Sequence, residues 1–140
     1  MGFDITVHAD QFSTSGSKVA VEFDAISADH LEASTAKEIT LLAQSEVMPV
    51  ALPGASIGIG CPFTPARKLL DAGTGLAIAS DWNPGSAPMG SLLLQACLLG
   101  TFEKLSNAAK EIKAAREKLE LAKLEYQDEI SVARENSKNE

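Results

Sequence analysis

Short apolar runs alternate with helical segments along the first three quarters of the chain, and this alternation is what most constrains the fold. The runs have strand length, and the segments between them carry helix caps or helical periodicity. Such alternation is typical of parallel βα units, which place the carboxyl ends of all their strands at one edge of the sheet. The predicted strands are 3–7, 26–31, 48–53 and 76–80. The predicted helices are 34–45, 65–72 and 88–105, and 18–25 is predicted to be a short helix or an irregular turn.

The predicted helices have recognisable boundaries. Ser34 or Thr35 is positioned to cap the second helix, and Glu38 stands at capping-box spacing from Thr35. Gly73 is positioned to end the third helix. The glycine-rich segment 54–62, which precedes that helix, is predicted to be a loop. Local sequence therefore predicts an α/β fold of four strand and helix units.

Three of the predicted strands end at or near a side chain that can bind a metal or accept a proton, namely His8, His30 and Asp81. Barrels of βα units keep their chemistry at this rim, where imidazole and carboxylate can hold a divalent ion that acidifies a water molecule. Each residue also has a simpler interpretation. Asp81 opens an Asp-Trp-Asn-Pro-Gly run that suits an ordinary turn, and either histidine can be a surface or hydrogen-bonded residue. Only their joint placement favours a metal site.

Charge and composition exclude some classes of partner. The 140 residues carry a formal net charge of −7, whereas binding to a phosphate backbone needs a basic surface, so we expect no nucleic-acid partner. No apolar run is long enough to span a bilayer, and the N-terminus lacks the pattern of a signal peptide, so we expect a cytoplasmic protein without a membrane partner. Cys61 and Cys97 are too few for a disulfide framework and are expected to be free thiols.

The sequence changes character after Asn107, and the predicted domains are therefore 1–107 and 108–140. The second is a charge-rich segment that we predict to be a long C-terminal helix. A seven-residue apolar repeat runs through it, which indicates helix pairing in a homo-oligomer or against the preceding helices. A solvated extension of the last helix is an equally good interpretation. The repeat consists of Leu105, Ile112, Leu119, Tyr126 and Ala133.

Five motifs in the same order make residues 1–107 resemble imidazolonepropionase, a metal-dependent amidohydrolase of histidine breakdown. The resemblance implies strands five to eight of an amidohydrolase TIM barrel. It also implies zinc or iron as the metal, and hydrolytic opening of the cyclic amide imidazolone propionate to N-formimidoyl-glutamate. The motifs are His8-Ala9-Asp10-Gln11-Phe12, Ser27-Ala28-Asp29-His30-Leu31-Glu32, Leu52-Pro53-Gly54-Ala55, 65–73 and Ser80-Asp81-Trp82-Asn83-Pro84-Gly85-Ser86.

The resemblance also implies a role for each matching residue. His8 and Asp81 match metal ligands, and Asp81 in addition matches the carboxylate that takes a proton from the attacking water. His30 matches a catalytic histidine that contacts or polarises the substrate. The matching substrate-binding residues are Gln11, Asn83, Gly85 and Ser86, of which the last three would hold the propionate group.

The sequence departs from that family in one important respect. The family's first strand supplies a His-x-His pair of metal ligands, but His8 and His30 are the only two histidines here. A full barrel needs about 250 residues, so the chain is expected to match only the second half, with the first half missing or its place taken by a second copy. Two functions stay open: an imidazolonepropionase-like hydrolase that is incomplete as a single chain, and a catalytically silent half-barrel whose C-terminal helix serves assembly.

Overall fold

The computed structural model describes residues 3–106 and, beyond them, Glu120, Lys123, Tyr126 and Gln127. Within this part of the chain, four parallel strands form one sheet in the order β1-β2-β3-β4. The strands are β1 (Thr6–Ala9), β2 (Ser27–His30), β3 (Met48–Ala51) and β4 (Ala77–Ile78). The predicted α/β class and the parallel arrangement are therefore confirmed, and all four strands end at the same edge of the sheet.

Five helices connect or follow these strands in the described residues: α1 (Gly16–Glu22), α2 (Ala36–Ala43), α3 (Pro53–Ile59), α4 (Ala66–Asp71) and α5 (Leu92–Phe102). The predicted capping box at the start of α2 is confirmed, since the Thr35 side chain accepts a bond from the Lys37 amide and Glu38 accepts from the Thr35 amide. Gly73, just beyond α4, has a φ of 91°, a left-handed conformation that favours glycine at a helix end.

The prediction of a loop over residues 54–62 is wrong for most of its length, because α3 occupies Pro53–Ile59. Pro53 stands in the first turn of this helix, where the missing amide hydrogen costs nothing. Gly58 is required by packing, since a Cβ there would lie 1.7 Å from the Ser86 carbonyl oxygen. The glycines that suggested a loop therefore allow a helix to lie against another segment.

The main core lies between the sheet and the helices. Strand residues Ala9 and Ala28 are fully buried there against Ala20 of α1 and Leu42 of α2. On the opposite face of β1, Thr6 and His8 are exposed, as expected from the alternation of side chains along a strand. The helices thus cover the face that carries the small apolar residues, and His8 projects from the other face.

A second apolar cluster joins the end of the sheet to α4 and α5, through Ala51, Ala66 and Leu99. The chain separates into two units, Met1–Leu105 and Ser106–Glu140. In the second, Glu120, Lys123, Tyr126 and Gln127 are helical, and Lys123 Nζ lies 2.8 Å from Glu120 Oε1. The rest of the predicted C-terminal helix lies outside the described residues. No helix among those described is long and apolar enough to cross a membrane.

Candidate functional site at the carboxyl edge of the sheet

Unusual backbone conformations mark the carboxyl ends of three strands. Asp10 follows β1 with a φ of 49°, and Asp81 follows β4 with a φ of 46°. At the end of β2, His30 and Leu31 have φ values of 84° and 70°. Left-handed backbone is rare for residues other than glycine, and bulky residues such as Leu adopt it only where the surrounding structure enforces it. Four of the seven non-glycine residues with positive φ in the described chain thus lie at the edge where the site residues were predicted.

The two histidines lie side by side at this edge. Ala9 pairs with His30 in the parallel register of β1 and β2, and the rings of His8 and His30 approach to 4.1 Å between centroids at an angle of 47°. His8 is exposed, whereas His30 is only 5% exposed. The structure therefore brings one accessible and one buried imidazole together.

A shallow cleft of about 270 Å³ opens beside His8 and is lined by Asp10, Gln11 and Phe12 among others. Gln11 thus shares a cleft with His8, and its substrate role stays a prediction. A larger open cavity of about 420 Å³ is lined by residues of α1, α2 and the loop before α1, such as Lys18 and Lys37. None of the predicted site residues lines that larger cavity.

Asp10 holds the rim in place and was not predicted as a site residue. It is 4% exposed, and its carboxylate accepts hydrogen bonds from the Ser17 amide at 3.2 Å, from the Ser17 hydroxyl and from the Ser34 hydroxyl at 2.8 Å. These bonds tie the end of β1 to the start of α1 and to the loop after β2. Gly16 permits the close approach, because a Cβ there would lie 2.6 Å from Ala9 Cα.

The buried side of His30 faces a carboxylate. His30 Nδ1 lies 3.6 Å from Glu32 Oε1, and the exposed fractions of the two side chains are 6% and 1%. The Ser56 hydroxyl of α3 donates to the same Oε1 at 2.8 Å. The Thr64 hydroxyl donates to the His30 carbonyl. Glu32 and Thr64 therefore contact His30 directly, and Ser56 of α3 holds Glu32.

Cys61 lies near the same carboxylate. Burial raises the pKa of the Cys61 thiol, and the negative charge of Glu32 raises it further. A raised thiol pKa lowers the fraction of reactive thiolate at neutral pH. Cys61 is therefore better suited to packing than to nucleophilic chemistry, in keeping with its prediction as a free thiol.

The loop after β4 is held together by Asn83. Its Nδ2 donates to the Asp81 carbonyl at 2.6 Å and to Ser86 Oγ at 3.0 Å, and its Oδ1 accepts from the amides of Gly85 at 2.9 Å and Ser86 at 2.8 Å. The amides of Gly85 and Ser86, two of the residues that the resemblance assigns to the propionate group, are thus already hydrogen-bonded within the loop. A substrate carboxylate would have to replace Asn83 Oδ1 to use them.

Gln95 connects this loop to the helices and was also missed by sequence reasoning. The side chain, on α5, is fully buried. Its Oε1 accepts from the Gly54 amide at 2.9 Å, while its Nε2 donates to the carbonyls of Met89 at 2.7 Å and Ser80 at 3.4 Å. No local motif marks an isolated glutamine in an apolar helix, whereas Glu32 and Asp10 stand beside predicted site residues and had at least that signal.

The predicted metal ligands do not form a complete centre within the described chain. His8 lies on the edge strand β1 and Asp81 in the loop after the opposite edge strand β4, and three strand spacings of about 4.8 Å, roughly 14 Å in all, separate those two strands. No three His, Cys, Asp or Glu side chains in the described part of the chain are grouped as a metal site, and a catalytic zinc site uses three protein ligands. These residues alone therefore do not fit a metal, and they suit at most a share of a larger site.

Comparison with known proteins points to one family. No family model matches the chain. Curated relatives include the imidazolonepropionases of Christiangramia forsetii, 48% identical over 94 residues, Deinococcus radiodurans, 44% over 112 residues, and Bdellovibrio bacteriovorus, 46% over 107 residues. These matches cover 66%, 75% and 76% of this chain, but only 23%, 28% and 25% of the respective relatives. The chain is thus a sequence relative of the imidazolonepropionases that spans about a quarter of their length.

Proposed function

We propose that the chain provides part of an imidazolonepropionase-type active site, which opens the ring of imidazolone propionate by hydrolysis to give N-formimidoyl-glutamate. The observation that carries the proposal is the match of 40–48% identity to enzymes of that name. The adjacent rings of His8 and His30 and the cleft that contains Gln11 support it. The four parallel βα units would be strands five to eight of the barrel, with residues 1–107 as a partial barrel domain and 108–140 as a helical extension.

Each site residue has a proposed task. His30 and Gln11 contact the substrate ring, and Asp81 accepts a proton from the attacking water. Asn83, Gly85 and Ser86 bind the propionate group after the loop bonds of Asn83 rearrange. His8 and Asp81 contribute to a divalent metal site, zinc or iron, that ligands outside the described residues complete.

A catalytically silent half-barrel is the second candidate. It is favoured by the position of His8 and Asp81 at opposite sides of the sheet and by the absence of any three-ligand group in the described chain. In that case the rim residues would stabilise the loops, and the C-terminal segment would serve assembly.

Metal content and product formation distinguish the two candidates. The purified chain would be loaded with zinc or, in a separate sample, with iron, passed through gel filtration, and assayed by mass spectrometry for bound metal and, after addition of imidazolone propionate, for N-formimidoyl-glutamate. The hydrolase proposal expects metal to co-elute with the protein and to be lost in the double variant His8→Ala, Asp81→Ala. A wild-type chain that binds no zinc or iron and forms no product would overturn it.

Asp24→Asn is the matched control for Asp81→Asn. Asp24 is exposed and has a φ of 50°, close to the 46° of Asp81. Both variants remove one negative charge, and asparagine tolerates this backbone conformation. Loss of metal in Asp81→Asn with full retention in Asp24→Asn assigns the effect to the rim carboxylate. Equal loss in both would refute a specific role for Asp81.

A further inference from the structure

Glu32 is a buried carboxylate to which no role at the rim has been assigned. Its side chain is 1% exposed, and burial of a carboxylate is costly unless partners compensate its charge. Only one of its oxygens, Oε1, has a hydrogen-bond donor, the Ser56 hydroxyl, while Oε2 is buried without a partner. Glu32 therefore retains unused capacity to accept a hydrogen bond.

The nearest group able to use that capacity is His30. Its Nδ1 is likewise buried without a hydrogen-bond partner and lies 3.6 Å from Glu32 Oε1. This distance is slightly beyond a normal N–H···O bond of about 2.7–3.2 Å, and it is too short to accommodate a bridging water molecule. A small rotation of either side chain would form this bond and give His30 Nδ1 a partner.

The contact also selects a tautomer. A neutral imidazole carries one proton, on Nδ1 or on Nε2. If the proton were on Nε2, the lone pair of Nδ1 would face a negatively charged oxygen in a site with little water, where the repulsion is weakly screened. With the proton on Nδ1, the ring donates to Glu32, and Nε2 has a free lone pair.

We infer that Glu32, held by Ser56, is a positioning residue that fixes His30 as the Nδ1–H tautomer, so that Nε2 acts as a hydrogen-bond acceptor at the rim. The consequence of this assignment for catalysis rests on the proposed function: His30 Nε2, as an acceptor, would receive a hydrogen bond from an N–H of the cyclic amide substrate. The tautomer assignment itself is carried by the two buried atoms without partners, His30 Nδ1 and Glu32 Oε2, and by Glu32 Oε1, which Ser56 holds. These observations hold whether or not the chain is an active enzyme.

The tautomer can be read directly in the full chain. With only two histidines, a ¹⁵N-histidine sample gives two imidazole patterns in a long-range ¹H–¹⁵N correlation spectrum, and His8→Gln identifies that of His30. The spectrum is recorded at a pH high enough that a further increase no longer shifts the histidine signals, so that both rings are neutral. We expect His30 Nδ1 at the protonated position and Nε2 at the unprotonated position. The reverse pattern in the wild-type chain would overturn the inference without any Glu32 variant.

Substitutions then test the cause. Glu32→Gln should abolish the preference for Nδ1–H, because its amide can donate to Nδ1, and Ser56→Ala should reduce the preference by freeing the carboxylate. Glu46→Gln, at an exposed glutamate, should change nothing. A Glu32→Gln protein that retains native circular dichroism and an unchanged His30 tautomer would refute the role of Glu32. Failure of the hydrolase proposal would appear in the metal and product assays and would leave this result intact.

Discussion

Asp10 provides the sharpest test of how the rim is stabilised. Its buried carboxylate accepts three hydrogen bonds, two from Ser17 and one from Ser34. Asp10→Ala would leave the Ser17 amide and hydroxyl buried without an acceptor, at about 1–3 kcal/mol each, while the Ser34 hydroxyl, which is only half-buried, can turn to water. Alanine with a positive φ adds about 1–2 kcal/mol. We expect a total loss of about 4 kcal/mol in the free energy of unfolding.

Asp24→Ala separates the backbone cost from the hydrogen bonds. Asp24 has nearly the same φ, 50° against 49° for Asp10, but it is exposed. Among the described residues its side chain makes none of the hydrogen bonds or ion pairs found in the fold. We therefore expect Asp24→Ala to cost about 1 kcal/mol, the backbone contribution alone. The difference of about 3 kcal/mol is a large part of the 5–15 kcal/mol that stabilises a typical domain.

The assay is urea unfolding followed by far-ultraviolet circular dichroism. With a slope of about 1–3 kcal/mol per molar urea, Asp10→Ala should lower the unfolding midpoint by at least about 1 M relative to Asp24→Ala. Asp10→Asn, which tolerates a positive φ and keeps one acceptor oxygen, should fall between wild type and Asp10→Ala. If the two alanine variants differ by less than about 1 kcal/mol, the reasoning that Asp10 anchors the rim is refuted.

Three further predictions follow from other contacts. Gly58→Ala places a Cβ 1.7 Å from a carbonyl oxygen of the loop after β4, so it should cost about 1–3 kcal/mol and shift the amide resonances of that loop, whereas unchanged shifts would contradict the packing. The Thr35 hydroxyl lowers the pKa of Glu38 below its ordinary 4.5, so that bond stabilises the fold above this pH and is lost as pH falls through the lowered value. Thr35→Ala should therefore cost about 1 kcal/mol at neutral pH and less in acid, with Thr35→Ser close to wild type; a pH-independent cost would exclude this linkage. Because the pKa of Cys61 is raised and Cys97 is exposed, iodoacetamide should label Cys97 first by peptide mass mapping, and the opposite order would show that burial does not protect Cys61.

The arrangement of strand ends makes the proposed site asymmetric. The β1 and β2 ends meet, so that His8 contacts His30 and shares a cleft with Gln11, whereas Asp81 follows β4, two strands further along the sheet. Substrate contacts on the histidine side therefore need little rearrangement. For Asp81 to reach the same site, either the sheet must curve until β4 approaches β1, or residues outside the described chain must complete the site. This is the physical reason to measure metal binding before activity.

Local sequence was sufficient for the order of the four strands and of every described helix up to α5 except α3, and for the capping box at Thr35. Alternating short apolar runs and helix caps involve residues only a few positions apart, and such interactions persist in almost any tertiary context. His8, His30 and Asp81 could be placed at one edge from the sequence because parallel strands all end on the same side. The family resemblance followed from motifs that can be read without coordinates.

Long-range packing decided the remainder. Residues 54–59 became a helix because Gly54 and Gly58 allow close approach to Gln95 and to the Ser86 carbonyl, partners that lie far away in sequence. The contact between His30 and Glu32 depends on the left-handed backbone at the end of β2 and on Ser56 from α3. The sequence by itself thus determined which chemical groups reach the edge of the sheet, since short-range preferences dictate where strands end. Only the tertiary structure decided which of those groups meet, because contact between distant segments depends on how their side chains pack.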